Sequence, residues 1–174
     1  MAVAYAAVAN GGKVLSPRMV KAVIGPDGKV TQETKPVVAG HLPVAPQTLS
    51  YIRDALAGVV TSGTASGAFA GFPLNVLPLA GKTGTAETYS EGDISWFASF
   101  GPVDNPRYVV LVIIPKSGQG AKFAAPTVRE VWEGIYGINR GAALPQGQEP
   151  SSLPCQRADG SVAPPSATGR QCTR

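Results

Sequence analysis

The stretch from Leu77 to Gly101, LPLAGKTGTAETYSEGDISWFASFG, limits what this chain can fold into more than any other. Apolar residues lead into it (Val76, Leu77, Leu79) and follow it (Trp96, Phe97, Phe100), with a polar, glycine-bearing segment between. That layout predicts two buried strands joined by a turn, with Gly81-Lys82-Thr83-Gly84-Thr85 on the first. A strand projects side chains to both faces, and Gly84 removes one of them. A ligand or another backbone can then approach closely, and exposed N–H groups can pair with an extended substrate as an added strand would.

A lysine between a glycine and a hydroxyl also suggests a nucleotide-binding loop, but the spacing excludes it. A P-loop needs a second glycine five residues before Gly81, and that position is Val76. The fifteen basic residues are scattered rather than clustered, and a net charge of +4 is mild, which argues against a nucleic-acid footprint. One histidine and two cysteines make no zinc set, and no cofactor is expected. His41, between Gly40 and Leu42, reads as a solvated loop residue.

At 174 residues the chain is long enough to bury a core. No run reaches the roughly 18–20 apolar residues of a membrane span. The opening MAVAYAAVA lacks the basic flank of a signal peptide and runs into Asn10-Gly11-Gly12, a helix stop. It reads as the end of a helix, so the protein is expected to begin upstream of Met1.

Arg18 to Ile24, the turn Gly25-Pro26-Asp27-Gly28 and Lys29 to Thr34 predict a hairpin. Pro36 to Pro46, with three prolines, reads as a loop. A helix is expected from Pro46, with Leu49, Ile52, Leu56 and Val60 on one stripe, ending in the small polar run from Thr61 to Gly67. Arg107 to Pro115 is an almost continuous apolar run, expected as a strand buried on both faces and joined to the aromatic strand by a tight Pro102–Pro106 connection. Val128, Val131, Trp132 and Ile135 predict a helix packed on the sheet and closed by Gly137. From Arg140 the chain is poor in large apolar residues and reads as a disordered Pro/Ser/Gly-rich tail, so the expected division is 1–139 and 140–174.

Ala80 to Glu87 (AGKTGTAE), followed by Trp96-Phe97 and Gly101-Pro102, resembles the transpeptidase domain of penicillin-binding proteins, in particular the monofunctional class B, elongation type. MAVAYAAVANGG with Pro17, and Val59-Val60 with Gly63-Thr64-Ala65, extend the likeness over about Met1 to Gly137. The resemblance implies an α+β, β-lactamase/transpeptidase-like fold: a mainly antiparallel five-stranded sheet with helices on both faces. This chain would supply three of the strands, with the motif strand at an edge. The strand that pairs with Arg107–Pro115 in the family is not found here, which would leave an apolar edge prone to aggregation.

By the same resemblance, Lys82 corresponds to the motif lysine that supports the proton relay and attracts a carboxylate, and Thr83 to its hydroxyl partner. Gly84 corresponds to the position left bare for the acyl group. Thr85 would offer its hydroxyl to the carboxylate of the substrate or of a β-lactam, and its N–H to the oxyanion hole. Trp96 and Phe97 read as core. The implied activity is peptidoglycan cross-linking by serine acyl transfer from a D-Ala-D-Ala stem peptide. The implied partners are that peptide, β-lactams and a membrane glycosyltransferase of the SEDS type. The implied location is the extracytoplasmic face of a bacterial membrane, anchored by a segment upstream of Met1.

The departures from the family pattern matter as much. No serine has a lysine three residues on, and no Ser-x-Asn occurs. The nucleophile, its base and the second motif are therefore expected upstream, and the chain by itself is expected to be an inactive fragment. A β-lactamase or D,D-carboxypeptidase shares Lys-Thr-Gly and stands as one alternative; a non-catalytic interaction module stands as another. Cys155 and Cys172, in a protein the resemblance places outside the cytoplasm, suggest a disulfide closing a tail loop.

Overall fold

The structure, a computed structural model, describes residues 1–88 and 92–138, and the backbone of two short strands further on. In chain order the elements are α1 (Ala2–Ala9), β1 (Lys13–Leu15), β2 (Ala22–Ile24), β3 (Val30–Glu33), β4 (Val38–His41) and α2 (Pro46–Thr61). They are followed by β5 (Ala80–Ala86), β6 (Ile94–Gly101), β7 (Tyr108–Ile114), α3 (Ala124–Tyr136), β8 (Cys155–Gln156) and β9 (Val162–Ala163). The β8–β9 pair is antiparallel. The rest of the expected tail, and the expected Cys155–Cys172 bridge, lie outside the described residues.

One compact unit comprises Met1–Ser16 and Val38–Tyr136. Its centre is an antiparallel sheet in the order β5-β6-β7, with Lys82 opposite Ala98, Gly84 opposite Trp96 and Phe100 opposite Val109. The motif strand is at an edge of this sheet, as the family resemblance implies. Alternation along the strands puts Ala80, Phe100 and Val109 on one face. There they meet Ala9, Tyr5 and Val8 of α1 and Leu56 and Ala57 of α2. On the opposite face Phe97 packs against Phe69, and Ser99 receives the Trp132 indole of α3. Helices therefore cover both faces, the α+β arrangement that the resemblance implies.

The helices form where the sequence pattern places them. The Asn10 side chain closes α1 by accepting from Lys13 N at 2.8 Å and donating to Lys13 O at 2.9 Å. Pro46 opens α2, where its missing N–H costs nothing, and the expected stripe faces inward, with Leu49 and Val60 buried. In α3 the buried positions are Ala124, Ala125, Val128 and Trp132. Val131 and Ile135, expected on the packed side, point outward instead. Residues three and seven after Val128 have rotated off the stripe that Val128 and Trp132 share, because the contact face here is narrow and starts with the two alanines.

Two further expectations change. The proline-bearing segment from Pro36 to Pro46 is not all loop: Val38–His41 forms β4, antiparallel to β1, with His41 opposite Lys13. His41 is exposed as expected, but on a strand. The run from Arg107 to Pro115 forms β7, yet only Val110 in it is buried, and Tyr108 and Ile113 are exposed. A strand with one neighbour is covered along one side, so its apolar content exceeds its burial.

The second unit contains Pro17–Val37. Its described part is the predicted hairpin, with β2 antiparallel to β3 and the Asp27 carboxylate accepting from Lys29 N at 3.1 Å in the turn.

Candidate active site

The site residues read from the sequence lie together along β5, an edge strand, and their environments differ. The alternation of the strand puts Lys82 and Gly84 toward the face of α1 and α2, and Thr83 and Thr85 toward the face of α3. Lys82 is exposed, and its Nζ donates to the Thr83 carbonyl oxygen at 2.6 Å. The ammonium is thus folded back along the strand, with two of its three donors left for other partners.

The two glycines are bare for different reasons. A Cβ on Gly81 would fall 2.7 Å from the Phe97 ring and 2.9 Å from Ala98 O, so core packing requires glycine there. A Cβ on Gly84 would meet the Trp96 Cβ at 3.4 Å, close to ordinary contact, and nothing else among the described residues. Internal packing accounts for the first glycine and hardly for the second.

Each motif hydroxyl has a partner from a distant segment. Thr83 Oγ1 lies 2.7 Å from Thr64 Oγ1, in the turn that follows α2. Thr85 Oγ1 accepts from Gly120 N at 3.4 Å. Gly120, in the β7–α3 connection, lies so close to the strands that a Cβ there would fall onto Gly84 O and Trp96 O. The sequence pattern marks neither Thr64 nor Gly120 as a site residue. The signal for Thr64 was the Gly63-Thr64-Ala65 string itself, and Gly120 stands in a loop rich in small polar residues that offers no local cue.

The aromatic strand β6 backs the site. Phe97 is fully buried, as expected of core. Trp96 is only half-buried, and its indole N–H has no hydrogen-bond partner among the described residues. Ser95 Oγ lies 2.6 Å from Ser117 Oγ, and Ser117 Oγ donates to Ile114 O at 2.7 Å, which holds the start of the β7–α3 connection against the sheet. The same connection then delivers Gly120 to Thr85. Among the described residues no group of histidine, cysteine, aspartate and glutamate could hold a metal ion, and no helix is long and apolar enough to cross a membrane.

The chain that carries this edge strand has counterparts among known proteins. A family model described as penicillin binding protein transpeptidase domain matches residues 1–133. Penicillin-binding protein PbpB of Mycolicibacterium smegmatis is 33% identical over 147 residues, covering 75% of this chain and 22% of that protein. The D,D-transpeptidase domain of a peptidoglycan glycosyltransferase from Eggerthella lenta superposes with a TM-score of 0.64 at 32% identity, covering 79% of this chain and 32% of that one. Penicillin-binding protein A of M. tuberculosis, solved as its imipenem acyl-enzyme complex, gives 0.64 at 29% identity, covering 77% and 29%. The chain spans about a fifth of the length of the curated relatives it matches. Over the part that it does span, sequence and fold agree, and the chain belongs to the penicillin-binding protein transpeptidase family.

Proposed function

We propose that this chain forms the Lys-Thr-Gly flank of a D,D-transpeptidase site that cross-links peptidoglycan by serine acyl transfer. The acyl donor is a stem peptide ending in D-Ala-D-Ala, and β-lactams occupy the same groove. The observation that carries the reading is Gly84, a bare position that core packing scarcely requires, flanked on an edge strand by Lys82, Thr83 and Thr85.

In this reading an extended peptide lies along β5. Lys82, with donors to spare, supplies positive charge to the proton relay and to the substrate carboxylate. Thr83 is its hydroxyl partner. Thr85, exposed at the surface, gives its hydroxyl to the carboxylate and its backbone N–H to the developing oxyanion, an interaction whose loss costs about 10²–10³ in rate. Gly84 lets the acyl group come down onto the strand. No Ser-x-x-Lys occurs in the 174 residues, so the attacking serine and its base belong to another segment. The domain works at the extracytoplasmic face of a bacterial membrane, beside a membrane glycosyltransferase of the SEDS type.

The test is covalent labelling by a fluorescent penicillin of the natural polypeptide that carries this chain. Lys82→Ala should lower the labelling rate by about 10² or more, the range for loss of a positioned proton-transfer group. Labelling at the wild-type rate would remove Lys82 from the site. The 174-residue chain expressed by itself should take no label, and a labelled band at its mass would overturn the assignment of the nucleophile to another segment.

A further inference from the structure

We propose that Thr64 is a positioning residue of the site, acting through its hydroxyl contact with Thr83. The proposal rests on the reading of Thr83 as a site residue and adds a second segment of the chain to its machinery.

The geometry starts with α2. Leu56 and Ala57 of that helix pack on one face of the sheet, and Phe69 packs on the other. The chain between them must pass from face to face, and it does so alongside the edge strand β5. The turn that makes this passage is tightly tied. Gly63 N donates to Gly58 O at 2.8 Å, Ala65 N to Val59 O at 3.0 Å, and Ser66 Oγ to Gly63 O at 2.8 Å. Ala65 is fully buried, so the turn is anchored on both sides of Thr64. Further on, Arg129 Nη1 donates to Ala68 O at 3.0 Å and Ala70 O at 2.8 Å, fixing the carbonyls that flank Phe69.

Thr64 is therefore presented to β5 from a rigid support. Its Oγ1 lies 2.7 Å from Thr83 Oγ1, a short hydroxyl–hydroxyl contact. Thr83 is β-branched and has few χ1 wells to choose from, and the contact selects the one that places its Oγ1 toward Thr64. A hydroxyl has one proton and two acceptor sites. When Thr64 donates, the Thr83 proton is free for bound substrate. When Thr83 turns to donate, that proton is withdrawn. Thr64 thus fixes the position of the Thr83 oxygen and gives its proton a second resting place. Without Thr64 the Thr83 side chain would choose its rotamer and its partner by itself.

The test compares Thr64→Val, Thr64→Ser, Thr83→Val and the Thr64→Val/Thr83→Val pair in the natural polypeptide, reading the second-order rate of labelling by a fluorescent penicillin. Thr64→Val should lose about tenfold, the scale of one hydrogen bond in a preorganised site, and Thr64→Ser should recover most of it. The double variant should be no slower than Thr83→Val. Three-bond couplings to the Thr83 methyl in the natural polypeptide read the rotamer without any labelling step: one rotamer is expected in the wild type and averaging in Thr64→Val. If Thr64→Val labels at the wild-type rate while Thr83→Val is slowed, the role of Thr64 is overturned and the site reading stands. If Thr83→Val labels at the wild-type rate, the reading of Thr83 fails and takes this proposal with it. Loss in Thr64→Ser equal to that in Thr64→Val, or an additive double variant, would make Thr64 a packing residue only.

Discussion

The indole N–H of Trp132 donates to the Ser99 hydroxyl over 2.9 Å, and both side chains are completely buried. This bond joins α3 to the middle strand of the sheet, at a point where a strand of small and aromatic residues would otherwise leave a polar oxygen in the core. The Ser99 hydroxyl passes its own proton to Val110 O at 3.1 Å, so the indole, the serine and the β7 carbonyl satisfy one another. Buried polar groups are stable when every member is paired and costly when one is not.

Ser99→Ala should therefore destabilise the chain by about 1–3 kcal/mol, because the indole N–H is left buried without an acceptor. Trp132→Phe removes the donor and some ring volume, and should cost about 2–4 kcal/mol. The double variant should be less damaged than the two losses added together, since the second change removes a group that the first left unpaired. Urea unfolding of the four proteins checks this, and strict additivity would show that the bond contributes nothing beyond packing.

A pH effect follows from α1. Tyr5 packs against the cluster of Ala9, Ala80 and Phe100, and its burial raises the phenol pKa above the usual 10.0. The folded state therefore holds this proton more tightly than the unfolded chain does. Stability from this source is fully present below pH 10.0 and is lost as pH rises through the higher folded value. Tyr136 shifts the same way, by burial first and by the neighbouring Tyr108, with Arg107 opposing. Tyr5→Phe should flatten the alkaline limb of the stability curve while leaving the neutral region little changed. Unfolding free energies measured from neutral pH to about pH 11 would check it, and an alkaline limb identical to wild type would dispose of the buried-phenol explanation.

The parts of the fold that could be read from the sequence are those in which the pattern is local. The stripe Leu49, Ile52, Leu56 and Val60 gives α2, and the apolar runs on either side of GKTGT give β5 and β6 as two neighbouring strands in the order found. The β1–β4 pair could not be read this way. Lys13–Leu15 and Val38–His41 are short, lie far apart in the chain, and the second is set among prolines, so its pairing depends on Gly12 O accepting from Leu42 N once the fold has formed. The site divides in the same manner. Lys82, Thr83, Gly84 and Thr85 are consecutive and carry their own signal. Thr64 and Gly120 reach Thr83 and Thr85 across 19 and 35 residues, and only the path of the chain around the sheet brings them there.

Gly120 offers the sharpest test of how closely the site depends on its surroundings. It sits against the backbone of two strands at once, and a Cβ there would fall onto Gly84 O and Trp96 O. Those are backbone atoms of a paired sheet and cannot rotate away as the end of a long side chain could. Gly120→Ala must instead move the β7–α3 connection outward, which breaks the 3.4 Å contact from Gly120 N to Thr85 Oγ1 and strains the 2.9 Å bond by which Gly120 O accepts from Ala125 N at the start of α3. The expected cost is about 1–3 kcal/mol in stability, the range for forcing extra volume into a packed region. Penicillin labelling of the natural polypeptide should fall as well, because Thr85 loses the support of that loop. Gly67→Ala is the control, since a Cβ there meets nothing within 4 Å and should be nearly silent. Thermal melts and labelling rates for the two variants separate the possibilities. If Gly120→Ala melts and labels like Gly67→Ala, the connection yields without resistance and Gly120 has no part in holding the site.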